Sequence, residues 1–294
     1  MDKVIKRTQG AGFTPVHTRG RLITSFCYAM LMFTCVILFH QGLIALLSVK
    51  LGYTTHFSFS KVDSKPYDNE HWGTYRVLIM YAFPPLLLLT ISVLLVSRMY
   101  MHTKRKIDKW FALSYWWVVT SILYVSTQAV IPLIAFSFGK DTMYQGIPVL
   151  FNWFYVPNAI RFGIAIFVML LNVVLGFLFF QFTLQFSPSR GSVFNHKKQA
   201  ETIRRYYTYP MLMCIPLAAF LSLPKVPVFF LAYMVMGLLW VPGLIIRGHS
   251  GQANETKLDP NQIKELDARG IALIAGFILL VRILFIISDY YWYQ

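Results

Sequence analysis

Long apolar stretches alternate with short polar gaps along most of the chain. Seven such stretches cover roughly residues 22–49, 77–97, 110–138, 159–186, 208–223, 226–246 and 270–288. Most reach the roughly 20 residues that an α-helix needs to cross the hydrocarbon core of a bilayer. The pattern predicts an all-α polytopic membrane protein whose single transmembrane domain, residues 22–288, has about seven helices.

The fifth stretch is short and rich in proline. It contains Pro210 and Pro216, and Pro224 and Pro227 bracket Lys225 immediately after it. Two interpretations stay open: residues 208–246 form two spans, the first of them kinked, or they form a re-entrant hairpin. Irregular backbone at membrane depth is tolerated only where protein or water covers it.

Basic residues gather in alternate gaps and predict the orientation. One side collects 19 Lys and Arg residues and the other side 6. Because basic residues accumulate in cytoplasmic segments, we expect a protein of the inner (plasma) membrane. Its basic tail, 1–21, and the loop 247–269 with a short helix would be cytoplasmic, and its aromatic C-terminus, 289–294, external or periplasmic.

The composition supports this class and disfavours soluble ones. Hydrophobic residues make up 56% of the chain and charged residues 13%, against about 25% charged in soluble domains. The formal charge of +15 is explained by the cytoplasmic bias, so nucleic acid is not an expected partner. Nucleotide-binding, serine-hydrolase and H-E-x-x-H metal motifs are missing from the sequence, and no cofactor is expected.

A segment after the first stretch has the two-residue period of a β-strand. In "GYTTHFSFSKV", Thr55 and Phe57 alternate with His56 and Ser58. The alternation predicts a short surface β-hairpin at 53–62.

Polar side chains inside the stretches are the candidate functional residues, because burying them in a membrane is unfavourable. They are His40, Gln41, Asn158, Arg161, Asn172, Arg282 and Asp289. His40 is either an uncharged histidine bonded to another helix, a metal ligand or a proton carrier. Arg161 and Asn172 are eleven residues apart on one helical face, which indicates helix packing or a polar pathway. Arg282 and Asp289 are two turns apart and either pair directly or bind other groups.

The segment "FHQGLIALLSVKLGY", residues 39–53, resembles the active-site helix of site-2-type, M50-like membrane metalloproteases. His40 stands at the first ligand position of that family's H-E-x-x-H motif, and Gly52 has the family's spacing. Gln41 replaces the glutamate base, and Ile44 replaces the second histidine. The hairpin, "MYAFPPLLLL" and "NWFYVPNAIRFG" are similar to later family segments, without the aspartate ligand. The resemblance implies a pseudoprotease that has lost its zinc chemistry.

These observations predict a non-catalytic multi-pass protein that serves as subunit or scaffold of a larger membrane complex. No catalytic, metal-binding or cofactor-binding residue is assigned, and the expected partners are the lipid bilayer and other membrane subunits. One alternative is a transporter or channel component that uses the intramembrane Arg, Asp and Asn residues. A second is a divergent membrane metalloprotease or lipid-modifying enzyme.

Overall fold

A computed structural model describes residues 15–59, 62–66, 73–102, 109–138, 146–186, 196–222, 228–249 and 265–292. Their elements, in chain order, are α1 (Pro15–Lys50), β1 (Tyr53–Phe57), β2 (Val62–Pro66), α2 (Thr74–His102), α3 (Lys109–Phe138), α4 (Ile147–Trp153), α5 (Asn158–Leu184), α6 (His196–Ile203), a π-helix (Arg204–Thr208), α7 (Tyr209–Ser222), α8 (Val228–His249) and α9 (Ala268–Trp292). Most of the loop 247–269, for which a short helix is predicted, lies outside these ranges, as do residues 293–294 of the aromatic tail predicted at 289–294. Residues 289–292 of that tail continue α9.

Among the described residues, five helices are long and apolar enough to cross a membrane. They are Arg19–Lys50, Thr74–Met101, Asn158–Leu184, Phe229–Gly248 and Ala268–Ser288. The predicted class, a multi-pass helical membrane protein, agrees with them, whereas the total of seven spans stays a prediction. α3 is also long, with 30 residues.

The fifth apolar stretch belongs to a continuous helix from His196 to Ser222 that contains one π-turn. Pro210 has no backbone N–H, so it cannot donate to the carbonyl of Tyr206 one turn earlier. The hydroxyl of Ser25 on α1 donates to that carbonyl instead, at 2.9 Å. A contact between helices therefore satisfies the backbone group that the proline leaves without a partner.

Polar contacts hold several helix ends together at one end of the molecule. The backbone N–H of Leu266, just before α9, donates to the hydroxyl of Thr24 in α1 at 2.9 Å. The hydroxyls of Tyr115 in α3 and Thr183 in α5 lie 2.8 Å apart. We call this end the basic end, because the described segments beside it carry most of the lysines and arginines outside the helix interiors.

The opposite end contains the hairpin and α4. Ser288 of α9 contacts the carbonyl of Phe57 at 3.4 Å, and Arg282 donates to the carbonyl of Leu221 near the end of α7 at 3.3 Å. The continuous helix 196–222 thus runs from the basic end, where Tyr206 of the π-helix meets α1, to the opposite end. Two spans and a re-entrant hairpin for residues 208–246 both stay predictions.

The hairpin is longer than the sequence predicted. Its strands are antiparallel, with Tyr53 opposite Pro66 and Phe57 opposite Val62, so it ends at residue 66 instead of 62. Buried positions do not follow strict alternation: Tyr53 and His56 are both buried, whereas Phe57 is half-buried. The physical reason is that the hairpin packs on two helices, α1 on one side and α9 on the other.

Aromatic rings form the centre of the helix bundle. Trp116 of α3, Tyr207 of the π-helix and Trp240 of α8 stack nearly parallel, with ring centroids 6.2 and 6.0 Å apart. The Tyr207 hydroxyl donates to the carbonyl of Gly237 at 2.9 Å. All three rings are fully buried, so this column fixes α3, the π-helix and α8 against one another.

α5 and α8 approach so closely that only glycine fits at two positions. A side chain at Gly176 of α5 would overlap the backbone of Trp240, and one at Gly243 of α8 would overlap the carbonyl of Val173. Small residues allow membrane helices to gain van der Waals contact at short distance. The pair is therefore closed to lipid and water at these positions.

Candidate functional site

His40 and Gln41 lie in a buried polar cluster between α1 and α3. The Nδ1 atom of His40 is 3.2 Å from the hydroxyl of Tyr124, and its Nε2 atom is 3.2 Å from the amide nitrogen of Gln128. Gln41 donates from its amide nitrogen to the same Tyr124 hydroxyl at 3.1 Å. His40 is only 1% exposed. We call these four residues the His40 cluster.

Helical spacing explains how the cluster forms. Tyr124 and Gln128 are one turn apart on α3, so their side chains are neighbours on one helical face. His40 and Gln41 are consecutive residues of α1, and both reach the Tyr124 hydroxyl. The rings of His40 and Tyr124 meet edge to face, with centroids 4.9 Å apart. Phe229 of α8 makes a similar contact with Tyr124 at 5.0 Å and encloses that side of the cluster.

The hydrogen bonds define the protonation pattern of the cluster. An amide nitrogen is only a donor, so the Gln128 contact makes Nε2 of His40 the acceptor. A neutral imidazole then carries its proton on Nδ1 and donates it to the Tyr124 oxygen. Both ring nitrogens are engaged by uncharged groups of this chain, which leaves neither available to coordinate a metal in this arrangement.

The cluster also organises the start of α4. The side-chain oxygen of Gln128 accepts a hydrogen bond from the backbone N–H of Ile147 at 3.3 Å. Gly146, the residue before α4, has a φ of 60°, and any side chain there would collide with the Gln128 amide. Gln128 thus links the intramembrane histidine to the turn that leads into α4.

Arg161 is held by the end of α4 rather than by an acidic side chain. Its guanidinium donates to the carbonyls of Val156 and Phe151 and to the side-chain oxygen of Asn152, at 2.7, 2.9 and 2.8 Å. A cation at a helix C-terminus is stabilised by the helix dipole and by the unpaired carbonyls there. The bonded residues lie on both sides of Tyr155 in the sequence. Tyr155 has a φ of 48°, which is unusual for a residue with a side chain.

Asn172 lies in the interface between α5 and α8. Its side-chain oxygen accepts a hydrogen bond from the indole N–H of Trp240 at 2.8 Å, and its amide nitrogen donates to the carbonyl of Val168 at 2.8 Å. Asn172 is fully buried, as are Ala165 and Thr183 on the same face. The helical face that Arg161 and Asn172 share therefore packs against neighbouring helices from Ala165 onwards.

The remaining candidates are scattered. Arg282 is half-buried and donates to a carbonyl of α7, as described above, and Asn158 is exposed at the first position of α5. Asp289 belongs to α9, but its side chain lies outside the described part of the structure, so its predicted pairing with Arg282 stays a prediction. Of the six candidates whose side chains are described, only His40 and Gln41 share one cluster.

The positions that resemble the metalloprotease motif do not converge on His40. Ile44, at the position of the second histidine, is buried in a separate apolar group with Tyr53 and Val77. Gly52 follows α1 with a φ of 85°, a conformation that glycine adopts easily. Within the described residues, no three His, Cys, Asp or Glu side chains are placed to hold a metal ion.

The two aromatic partners in these sites are not evident from the sequence alone. Tyr124 and Trp240 were missed because rings in membrane helices ordinarily serve as packing groups or interface anchors. The available signal was local: Tyr124 precedes the intramembrane Gln128 by four residues, which places a hydroxyl and an amide on one face.

Comparisons with known proteins do not identify the chain. No family model, curated protein or solved structure matches it. The structure therefore defines a class, multi-pass helical membrane proteins, and the resemblance to site-2-type metalloproteases stays a prediction.

Proposed function

We propose that this chain is a non-catalytic membrane subunit that binds other membrane proteins through the exposed faces of its helices. The observation that carries the proposal is the set of partners found for the intramembrane candidates. His40, Asn172, Arg161 and Arg282 each bond to groups of this chain. Polar side chains arranged in this way join helices to one another, which is a structural role.

The helix best placed to bind a partner is α9. Only 17% of its most apolar stretch is buried, against 44% in α1 and in α8. Ala272 and Gly276 lie one turn apart on an exposed part of α9, and a side chain added at Gly276 would meet nothing within 4 Å. Elsewhere in this chain, Gly176 and Gly243 lie where two helices touch, so an open glycine on α9 fits a further helix.

Purification in mild detergent tests the proposal, with native mass spectrometry to identify co-purifying chains. We expect a complex with another membrane protein or a second copy. Gly276→Leu should release the partner, because leucine would keep the backbones apart. Gly163→Leu is the matched control, since Gly163 is an exposed glycine of α5 with equally open space. A strictly monomeric wild-type particle would refute the proposal.

The transporter and enzyme alternatives use the same intramembrane residues. No specific contact within the described residues favours either of them over the structural role. Zinc bound in stoichiometric amount and lost in His40→Ala would favour the metalloprotease alternative over the one proposed.

A further inference from the structure

A basic face follows the exposed side of α6 and the π-helix. Lys197, Lys198 and Arg204 are exposed on it, and Arg205 forms an ion pair with Glu201 one turn away, at 2.5 Å. Lys197 and Arg204 are seven residues apart and therefore lie on one side of the helix. With Glu201 as its only acidic member, this face, which we call the α6 face, is strongly cationic.

The other side of α6 packs against the protein. Gln199, Thr202 and Ile203 are buried, and the side chain of Gln199 lies against Gly248 at the end of α8. The charged residues of α6 thus lie on one side, which points away from the bundle, whereas the other side packs on the bundle. This packing fixes the direction in which the basic face points.

The depth of the α6 face follows from helix length. The continuous helix 196–222 is about 40 Å long, at roughly 1.5 Å per residue. The hydrocarbon core is about 30 Å thick, which corresponds to about 20 helical residues. If Ser222 lies at one boundary of the core, Ile203 lies near the other. Residues 196–202 then extend about 10 Å into the headgroup layer.

Neighbouring groups reinforce the positive potential there. Arg247 directly precedes Gly248 on α8. Its guanidinium carbon lies 4.8 Å from the centroid of the Phe177 ring on α5. The cation is therefore held at the same end of α8 that packs on α6. Long basic side chains at helix ends extend their charges toward the phosphate layer while their stems cover apolar surface.

We propose that the α6 face binds the phosphate groups of anionic phospholipids in the leaflet at the basic end. Charge complementarity supports the proposal: the helix face is cationic, buried packing orients it, and the length of the helix up to Ser222 would place it at the depth of lipid phosphates. Juxtamembrane Lys and Arg residues attract anionic leaflets, and each charge contributes independently to first approximation. This binding site is separate from the partner surface proposed on α9.

The test uses the full-length chain in nanodiscs that contain phosphatidylglycerol and phosphatidylcholine. Electron spin resonance of spin-labelled lipids measures the preference of the protein for each headgroup. The double substitution Lys197→Gln and Arg204→Gln should weaken the preference for phosphatidylglycerol by about five-fold per charge removed at low salt. The loss should be small in high salt, where the wild-type preference is itself screened.

Two further variants make the result specific. Arg19→Gln with Arg269→Gln removes the same charge from exposed positions at the same end, outside the α6 face, and should retain most of the preference. Lys197→Arg with Arg204→Lys keeps the charge and should behave as wild type. Helical circular dichroism and gel filtration verify that each variant is folded.

Three results would overturn the proposal. Equal losses in both charge-removing variants would show a general effect of net charge, and no loss in either would show that the α6 face does not select lipids. A lipid preference that is unchanged while a co-purifying acidic protein is lost would assign the face to a protein partner instead.

Discussion

Replacing His40 with phenylalanine distinguishes a structural histidine from a functional one. The substitution roughly preserves ring volume but removes the contacts to Tyr124 and Gln128, both at 3.2 Å. Hydrogen bonds between membrane helices contribute on average about 0.6 and at most about 1.7 kcal/mol each. We therefore expect His40→Phe to lower the free energy of unfolding by about 1–3 kcal/mol.

Unfolding in mixed micelles by titration with sodium dodecyl sulfate measures this change. Alkylation of Cys214 reports the transition, because this thiol is only 1% exposed in the folded chain. Combining His40→Phe with Tyr124→Phe gives a double-mutant cycle, and contacting residues should couple by at least about 0.5 kcal/mol. The two single variants and the double variant serve as one another's controls.

The sign of the change in the free energy of unfolding decides whether His40 is structural or functional. Residues kept for activity often reduce stability, so their replacement by apolar groups stabilises the protein. An unchanged or increased free energy of unfolding for His40→Phe would refute the structural role of the cluster. It would also remove the main support for a non-catalytic subunit.

Two further substitutions test the packing and the α4 turn. Gly243→Leu should lower the free energy of unfolding by about 1–3 kcal/mol in the same titration, because the leucine side chain would overlap the backbone of α5. Gly42→Leu should be nearly neutral, since nothing lies within 4 Å of an added side chain there. Arg161→Gln should speed hydrogen exchange of the Val156 amide, which bonds to Phe151, by about ten-fold or more. Unchanged exchange would mean that the turn is stable without the guanidinium.

Hydropathy and side-chain alternation predicted the features that depend on local sequence. The apolar stretches coincide with helices, and the hairpin forms where the two-residue period begins, at Tyr53. These features follow from backbone hydrogen bonding in lipid and from side-chain alternation, which neighbouring residues determine. The contact at the π-turn could not be predicted in this way. The sequence shows that Pro210 cannot donate to a carbonyl one turn earlier, but not that Ser25, 181 positions away, donates to it.

The partners of the intramembrane candidates could not be predicted for the same reason. The sequence marks Arg161 as an unusual buried cation, and the natural expectation for a cation is a carboxylate or the membrane interface. Its actual partners include two backbone carbonyls. Every residue has a backbone carbonyl, so the sequence cannot show which ones will bind the guanidinium. Contacts of this kind depend on how α4 folds back beside α5, a property of the tertiary structure.

The contacts between α1 and α3 bear on the transporter alternative. The Trp116 indole donates to Ser25 at 3.3 Å, and Tyr124 contacts His40 at 3.2 Å. Ser25 and His40 are about 22 Å apart along α1, so the two helices are joined by buried polar contacts at two well-separated depths. Sliding or rocking of α1 against α3 would break both contacts at once. A transport cycle would therefore have to move other helices around this pair, whereas a subunit that presents fixed surfaces needs the pair to stay as it is.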